Sequence, residues 1–256
     1  MSEGRDFGEA VVRQRTEVGP GRSWPTGTFL SRLDERTRAR LLDLGQLHPV
    51  PPQRALVRQG DSGGSVWLLI DALVKVSARV ENGTEALLAL RVSGDLIGEM
   101  AVLGEPVRSA TVTTCGRAVV SQIKGGAFID FLQRHPAVAL TLNEMTIERL
   151  RWSNQRRLDF AGYETGRCLA RVMLALADRH GQPCAEGIDL GIPLTQAELG
   201  GLVGAKEATV QKALRELTVK GLVATPGRRR VIITDHALLR DFADLSPSGQ
   251  VPANPD

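Results

Sequence analysis

The chain has 256 residues, 42% hydrophobic and 24% charged, a composition typical of a globular protein with one large or two modest domains. No apolar run is long enough to cross a bilayer, and the N-terminal segment is too polar for a signal peptide, so we expect a cytoplasmic protein without a membrane partner. The net charge of +3 permits a nucleic-acid partner without establishing one.

Enzymatic and metal sites find no support in the sequence. The three cysteines, Cys115, Cys168 and Cys184, are widely spaced and match neither a zinc pattern nor a disulfide framework. A nucleophile–base motif and a Walker loop are also missing. We therefore predict that the protein is not an enzyme and holds no metal or resident cofactor.

The N-terminal half predicts an arm, a short helix and many strands. Residues 1–26 lack apolar periodicity and are predicted to be a disordered arm. Leucines at helical spacing predict one helix over residues 28–44, broken by the sequence HPVPP. Short β-branched runs then alternate with Gly, Asp and Asn over residues 54–123, with a strong turn at 81–83. This pattern indicates a β-roll or barrel rather than a parallel sheet.

Residues 98–110, GEMAVLGEPVRSA, suit a compact nucleotide. Arg108 offers a fork of donors for a phosphate, and the Ser109 hydroxyl and the backbone N–H groups of Ser109 and Ala110 can face the same anion. Glu99 repels phosphate, so its natural partner is a ribose hydroxyl, while Gly98 lets the backbone approach the sugar. The alternative is a surface loop in which Glu99 and Arg108 are solvated or paired with each other.

A long helix and a hinge are predicted next. A first helix is indicated at 128–134, and a proline at 136 favours the first turn of a longer one over about 137–160. Arg149 and Arg156 interrupt its heptad, so packing on its own domain and pairing with a second copy both stay open. Residues 162–166 then indicate a hinge, residues 167–179 a helix, and residues 180–193 a loop that crosses to a short strand.

The C-terminal third has the pattern of a winged helix-turn-helix. Thr195 and Glu198 form a capping box that begins a short helix, and Gly204 permits a tight turn before a second helix at about 206–220. Gly221 is predicted to end that helix, and residues 222–233 read as a two-stranded wing turning at 226–227. Three arginines at the wing tip favour DNA phosphates. The alternative is a small helical bundle used for protein contacts.

In this order, these segments resemble the bacterial Crp/Fnr transcription regulators. The runs RQGDSGGSVWLLIDALVKV and RVSGDLIGEM resemble the β-roll, residues 98–110 the phosphate-binding cassette, and residues 193–235 the DNA-binding domain. The resemblance implies an α+β fold. It places a jelly-roll-like, cyclic-nucleotide-binding β-roll at 27–135, a dimerisation helix at 136–161, a winged helix-turn-helix at 162–245 and a disordered tail at 246–256.

The resemblance also implies two sets of binding residues. Cyclic AMP or cyclic GMP would be the effector, held by cassette residues and by a polar pair on the long helix: Gly98, Glu99, Met100, Arg108, Ser109, Ala110, Ser153 and Asn154. DNA would be contacted by the second helix, the cap of the first and the wing tip: Thr195, Lys206, Glu207, Ala208, Thr209, Gln211, Lys212, Arg228, Arg229 and Arg230. The family's usual base-reading glutamate is Ala208 here, so the familiar operator is not carried over.

The expected function is that of a homodimeric, allosteric regulator that binds double-stranded DNA, answers to a cyclic nucleotide and acts on RNA polymerase. One departure is Ala72, which replaces a usual glycine and would cost about 1 kcal/mol if the position needs a positive φ. Another is the spacing from Asn154 to Arg167, one residue shorter than usual. Alternatives are a regulator of the same fold that answers to another signal or none, and a scaffold module without DNA contact.

Overall fold

The structure is a computed structural model that describes residues 23–227 and 229–244. The tail predicted at 246–256, most of the predicted arm and Arg228 lie outside the described residues. The chain divides into two compact units, Met1–Leu150 and Arg151–Asp256. Within the described part of the chain, no helix is both long and apolar enough to cross a membrane.

The first unit is a roll of two antiparallel four-stranded sheets. The strands are β1 (Gln46–Val50), β2 (Ala55–Val57), β3 (Ser65–Asp71), β4 (Leu73–Arg79), β5 (Glu85–Val92), β6 (Leu96–Ile97), β7 (Thr111–Thr114) and β8 (Ala118–Lys124). One sheet has the order β1-β8-β3-β6 and the other β2-β7-β4-β5. The turn predicted at 81–83 is confirmed, because Gly83 joins β4 to β5 with a φ of 84°.

Alternating side chains along β3 separate two cores. Val66 and Leu68 belong to a cluster shared with the helices, whereas Leu69 belongs to a second cluster between the two sheets. This alternation is what a strand of period two requires when both of its faces are covered. The cassette residues therefore stand on a scaffold that is packed from both sides.

Helices cover one face of the roll. They are a 3-10 helix (Leu30–Arg32), α1 (Glu35–Asp43), α2 (Glu99–Leu103), α3 (Gly125–Arg134) and α4 (Pro136–Gly162). The prediction of one helix over 28–44 is wrong, because Leu33 is extended and Asp34 caps α1 by accepting from the Thr37 N–H at 2.9 Å. The predicted arm is also too long, since the large ring of Trp24 is buried in the core.

Two details of the roll differ from the sequence predictions. The HPVPP segment does not simply break the chain, because its first residues form the end of β1 at a sheet edge, where a proline is tolerated. Ala72 does not take a positive φ: among the described non-glycine residues only Gln53 and Asp244 do. The replacement of the usual glycine by Ala72 therefore carries no left-handed strain.

The second unit is a winged helix-turn-helix built on the end of α4. Its elements are α5 (Thr165–His180), β9 (Gln182–Cys184), β10 (Gly187–Asp189), α6 (Gln196–Val203), α7 (Glu207–Val219), β11 (Val223–Ala224), β12 (Ile232–Ile233) and α8 (His236–Phe242). The segment predicted as a loop to one short strand holds the β9–β10 hairpin. The predicted capping box, the αL turn at Gly204 and the β11–β12 wing are confirmed.

Candidate nucleotide site and nucleic-acid interface

Arg108 is buried at the centre of the cassette and is held by backbone carbonyls. Only 6% of Arg108 is exposed to solvent. Its Nη1 donates to the Gly98 carbonyl at 2.9 Å, and its Nη2 donates to the Ser65 carbonyl at 2.7 Å. Burial lowers the pKa of Arg108, and the charges of Glu99 and Asp61 oppose that shift. No carboxylate of the described residues forms an ion pair with this guanidinium, so its charge is fixed in place but not neutralised.

Two glycines make room for the Arg108 guanidinium. A Cβ on Gly98, whose φ is 85°, would lie 2.5 Å from Arg108 Nη1 and 3.1 Å from the Ser65 carbonyl oxygen. A Cβ on Gly63 would lie 3.0 Å from Arg108 Cζ and 2.4 Å from Ala101 Cβ. The sequence predicted that Gly98 lets the backbone approach the sugar. It did not predict a role for Gly63, because Gly63 lies far from Arg108 in the chain and no local pattern connects the two residues.

Glu99 has a partner that the sequence did not predict. Its Oε1 accepts a hydrogen bond from Arg149 Nη1 of α4 at 2.8 Å, and Arg149 Nη2 donates to the Leu96 carbonyl at 3.1 Å. Asp95 lies 3.6 Å from the same nitrogen. A carboxylate has acceptor sites for about four hydrogen bonds, so Glu99 can be oriented by Arg149 and still accept from a hydroxyl.

Two further cassette residues predicted for the nucleotide, Met100 and Ser109, lie at the surface. Ser109 and Met100 are exposed, and the Ser109 Oγ lies 3.8 Å from the Met100 sulfur. Ala110 is half-buried and directly precedes β7. The structure thus brings Gly98, Glu99 and Arg108 into one cluster, with the smaller donors accessible beside it.

α4 presents two apolar faces. Val138, Leu142 and Met145 are buried in the core of the roll. Leu140, Ile147 and Leu158 are exposed, and their spacings of seven and eleven residues correspond to about two and three whole turns, so they share one stripe. Up to Leu150, where the first unit ends, the roll therefore covers one side of this helix and leaves Leu140 and Ile147 exposed.

Arg149 and Arg156, which were predicted to interrupt the heptad of α4, do not lie in its exposed stripe. Arg149 instead turns toward the roll and pairs with Glu99. Arg156, seven residues later, stacks on Trp152 at 4.0 Å from the ring centroid, and burial lowers the pKa of Arg156 to about 10.

Ser153 and Asn154 follow Leu150 and belong to the second unit. Ser153 is half-buried and Asn154 is exposed. The structure places both on α4. Their role toward a purine stays a prediction.

α7 presents a polar face at the position of a recognition helix. Val210, Leu214 and Leu217 bury the opposite side. The exposed residues of the first two turns and their N-cap are those predicted for DNA: Lys206, Glu207, Ala208, Thr209, Gln211 and Lys212. Arg215, in the next turn, is also exposed and was not predicted. Arg215 could have been predicted from its spacing, because it stands one turn beyond Lys212 on the same face.

Thr195 and Arg230, two of the residues predicted for DNA, make contacts within the second unit. The Thr195 hydroxyl accepts from the Glu198 N–H at 3.2 Å, completing the capping box. Arg230 is paired with Asp189 of β10, with 2.5 Å between Nε and Oδ2. Of the three wing arginines predicted to contact DNA, Arg230 is paired in this way, Arg229 is exposed, and Arg228 lies outside the described residues; their contact with DNA stays a prediction.

The chain matches two family models in the order of these sites. Residues 47–135 match the cyclic nucleotide-binding domain, and residues 169–242 match the Crp-like helix-turn-helix domain. The chain belongs to the Crp/Fnr family. Its members are transcription regulators. In this chain the nucleotide-binding domain comes first and the DNA-binding domain second.

Curated relatives in the Crp/Fnr family extend over most of the chain. A CRP-like cAMP-activated global transcriptional regulator of Mycobacterium tuberculosis is 27% identical over 197 residues, covering 76% of this chain and 88% of that protein. The cAMP-activated global transcriptional regulator CRP of Salmonella typhimurium is 27% identical over 191 residues, covering 73% and 89%.

Solved structures share the fold. A c-di-GMP responsive global regulator of Xanthomonas campestris superposes with a TM-score of 0.70 at 20% identity, covering 79% of this chain and all of that one. A CRP-family transcriptional regulator of Thermus thermophilus superposes with a TM-score of 0.65 at 22% identity, covering 79% and 100%. At this level of identity the likeness supports the Crp/Fnr fold alone.

Proposed function

We propose that this Crp/Fnr regulator is a homodimer that binds a cyclic nucleotide in its roll and, in response, binds a specific double-stranded DNA operator. Cyclic AMP is the expected effector and cyclic GMP the second. RNA polymerase is the expected partner at the promoter. The relatives from Mycobacterium tuberculosis and Salmonella typhimurium are cAMP-activated, which supports the same class of effector here.

The observation that carries the proposal is the environment of Arg108. A buried guanidinium is costly unless its charge is compensated. Carbonyls of Gly98 and Ser65 satisfy part of its hydrogen bonding but bring no negative charge. A cyclic phosphate would supply that charge and accept from the remaining donors, while Glu99, held by Arg149, would accept from the ribose 2′-hydroxyl.

The direct test is a calorimetric titration of the full chain, stripped of carried-over ligand, with cyclic AMP, cyclic GMP and c-di-GMP. The third nucleotide is included because a solved protein of this fold answers to it. Saturable binding of a cyclic mononucleotide supports the proposal. Binding of c-di-GMP alone, or of none of the three, favours a regulator of the same fold with another signal.

Dimerisation is proposed through the exposed stripe of α4. Leu140 and Leu158 are 64% and 65% exposed, and burying such side chains is worth about 1.5–3 kcal/mol each. Ile147→Glu should therefore shift the protein toward monomers in light scattering at micromolar concentration. Val80→Glu, an equally polar change at an exposed residue beyond β4, is the matched control and should leave the assembly intact. A monomeric wild-type protein would contradict the proposal.

DNA contact is proposed through α7, with the wing positioning it. Lys212→Ala should cost about 1–3 kcal/mol at the preferred operator and little elsewhere, because side chains on this turn reach base edges. Arg229→Ala should weaken all sequences about equally and reduce the salt slope by about one. Equal, sequence-independent losses for both variants would place α7 outside the major groove.

A further inference from the structure

A buried ion pair lies at the corner where α4 meets α5, apart from the residues proposed for nucleotide or DNA. Asp159, near the end of α4, is only 5% exposed. Its Oδ1 forms a salt bridge with Arg171 Nε of α5 at 3.1 Å and accepts a hydrogen bond from Gln155 Nε2 at 3.0 Å. A carboxylate this buried must be paired to stay charged, and Arg171 supplies the pair.

Arg171 also holds two other parts of the second unit. Its Nη1 donates to the carbonyl of Ala243, at the C-cap of α8, at 2.9 Å. Its guanidinium lies 4.9 Å from the centroid of the Tyr163 ring, in the link between α4 and α5. One planar side chain thus joins the end of α4, the link and the end of α8, and a lysine at this position would lack the separate donors to do so.

Further contacts close the same corner. The carbonyl of Asp159 accepts from the Tyr163 N–H at 2.9 Å and from the buried Cys168 thiol at 3.3 Å. The neighbouring Phe160 ring lies against the turn between α6 and α7: a Cβ on Gly204 would be 3.1 Å from its Cδ2. The last turn of α4 is therefore tied both to α5 and to the helix-turn-helix.

We infer that this corner is a closed joint with Arg171 as its positioning residue, rather than the free hinge expected at residues 162–166. Gly162 completes α4, and neither Gly162 nor Gly166 takes a left-handed φ. The second compact unit begins at Arg151, so about three turns of α4 belong to the same unit as the winged helix. Those turns include the residues expected to contact the purine, and in this respect the inference rests on the proposed function.

Hydrogen exchange on the full chain without nucleotide tests the joint itself. In the wild type, the hydrogen-bonded amides of residues 160–163, 167 and 168 should be as protected as the interior of α5. Arg171→Ala should speed their exchange at least about tenfold and leave the strands of the roll unchanged, and Arg171→Lys should give an intermediate rate. Asp159→Asn breaks the same pair if Arg171→Ala does not fold.

The matched control is Arg167→Gln, which removes an exposed ion pair to Asp244 from the same helix, beside the same tyrosine. It should leave exchange within about twofold of wild type, because exposed pairs stabilise little. Wild-type exchange rates in Arg171→Ala, or unprotected amides at residues 160–163, 167 and 168 in the wild type, would overturn the closed joint.

A second readout tests the positioning role. Arg171→Ala should bind cyclic AMP within about twofold of wild type but lose most of the gain in operator affinity that cyclic AMP produces, because the coupling depends on the joint. An unchanged gain overturns the role of Arg171. If the wild type binds no cyclic nucleotide, the proposed function fails, while the exchange comparison still decides whether the joint is closed.

Discussion

An exposed arginine is usually more available to an anionic ligand than a buried one, but two arginines of this protein show the opposite. Arg108 in the roll is almost completely buried, yet its described partners are neutral carbonyls. Arg230 at the wing has a side chain 48% exposed, yet it is paired with the Asp189 carboxylate. The buried cation needs an anion, whereas the exposed cation already has one.

The comparison shows that the counter-charge, more than exposure, decides where an anionic ligand gains most. At the roll, burial excludes water and strengthens an interaction with a phosphate. At the wing, a phosphate must compete with Asp189 and with solvent, so its gain is small. We therefore expect large effects from changes at Arg108 and small effects from changes around Arg230.

The largest expected effect is that of Arg108→Ala. Removing one partner of a buried charge pair costs about 2–5 kcal/mol, so cyclic-nucleotide affinity should fall by a factor of roughly 30 to several thousand. Arg134→Ala, which removes an exposed i,i+4 pair to Asp130 from the same unit, is the control and should bind normally. Titration calorimetry measures both. Unchanged affinity in Arg108→Ala would show that the cassette assignment is wrong.

A smaller effect is expected at the glycine that shapes the Arg108 site. Gly98→Ala places a Cβ at a φ of 85° and within 2.5 Å of Arg108 Nη1, so it should lower the free energy of unfolding by about 1–2 kcal/mol or more. Gly64→Ala is the control, since its Cβ would meet open space. Urea denaturation compares the two variants. Equal stability would mean that the guanidinium is less tightly enclosed than the geometry indicates.

The smallest effect is expected at the wing. Asp189→Asn should release Arg230 and raise affinity for non-specific DNA by a few-fold, with the salt slope steeper by about one unit. Asp178→Asn removes the same charge elsewhere in the unit, where the carboxylate is exposed, and controls for net charge. Fluorescence anisotropy over a range of salt concentrations measures both. If the two variants behave alike, the Asp189–Arg230 pair does not limit DNA contact.

The features that the sequence predicted correctly are set by residues close together in the chain. The turn at Gly83, the capping box of Thr195 and the turn at Gly204 each follow from local backbone requirements, and all three are confirmed. The order of roll, long helix and winged helix follows from segments long enough to show their period.

What the sequence missed depends on partners far apart in the chain. Glu99 and Arg149 are separated by 50 positions, and Asp189 and Arg230 by 41. No local period encodes such a pair, so the sequence predicted neither Arg149 as the partner of Glu99 nor Asp189 as the partner of Arg230. The burial of Trp24 was missed for the same reason, because its contacts lie in a core built by later elements.

The central claim is that nucleotide binding and DNA binding are coupled, and reciprocity tests it most directly. Operator affinity is measured with and without saturating cyclic AMP, and cyclic AMP affinity is measured with and without saturating operator. Linkage requires the two ratios to be equal. We predict a common ratio of about 5 to 150, the range of typical allosteric coupling. A ratio of one in both directions, with both ligands bound, would contradict the account.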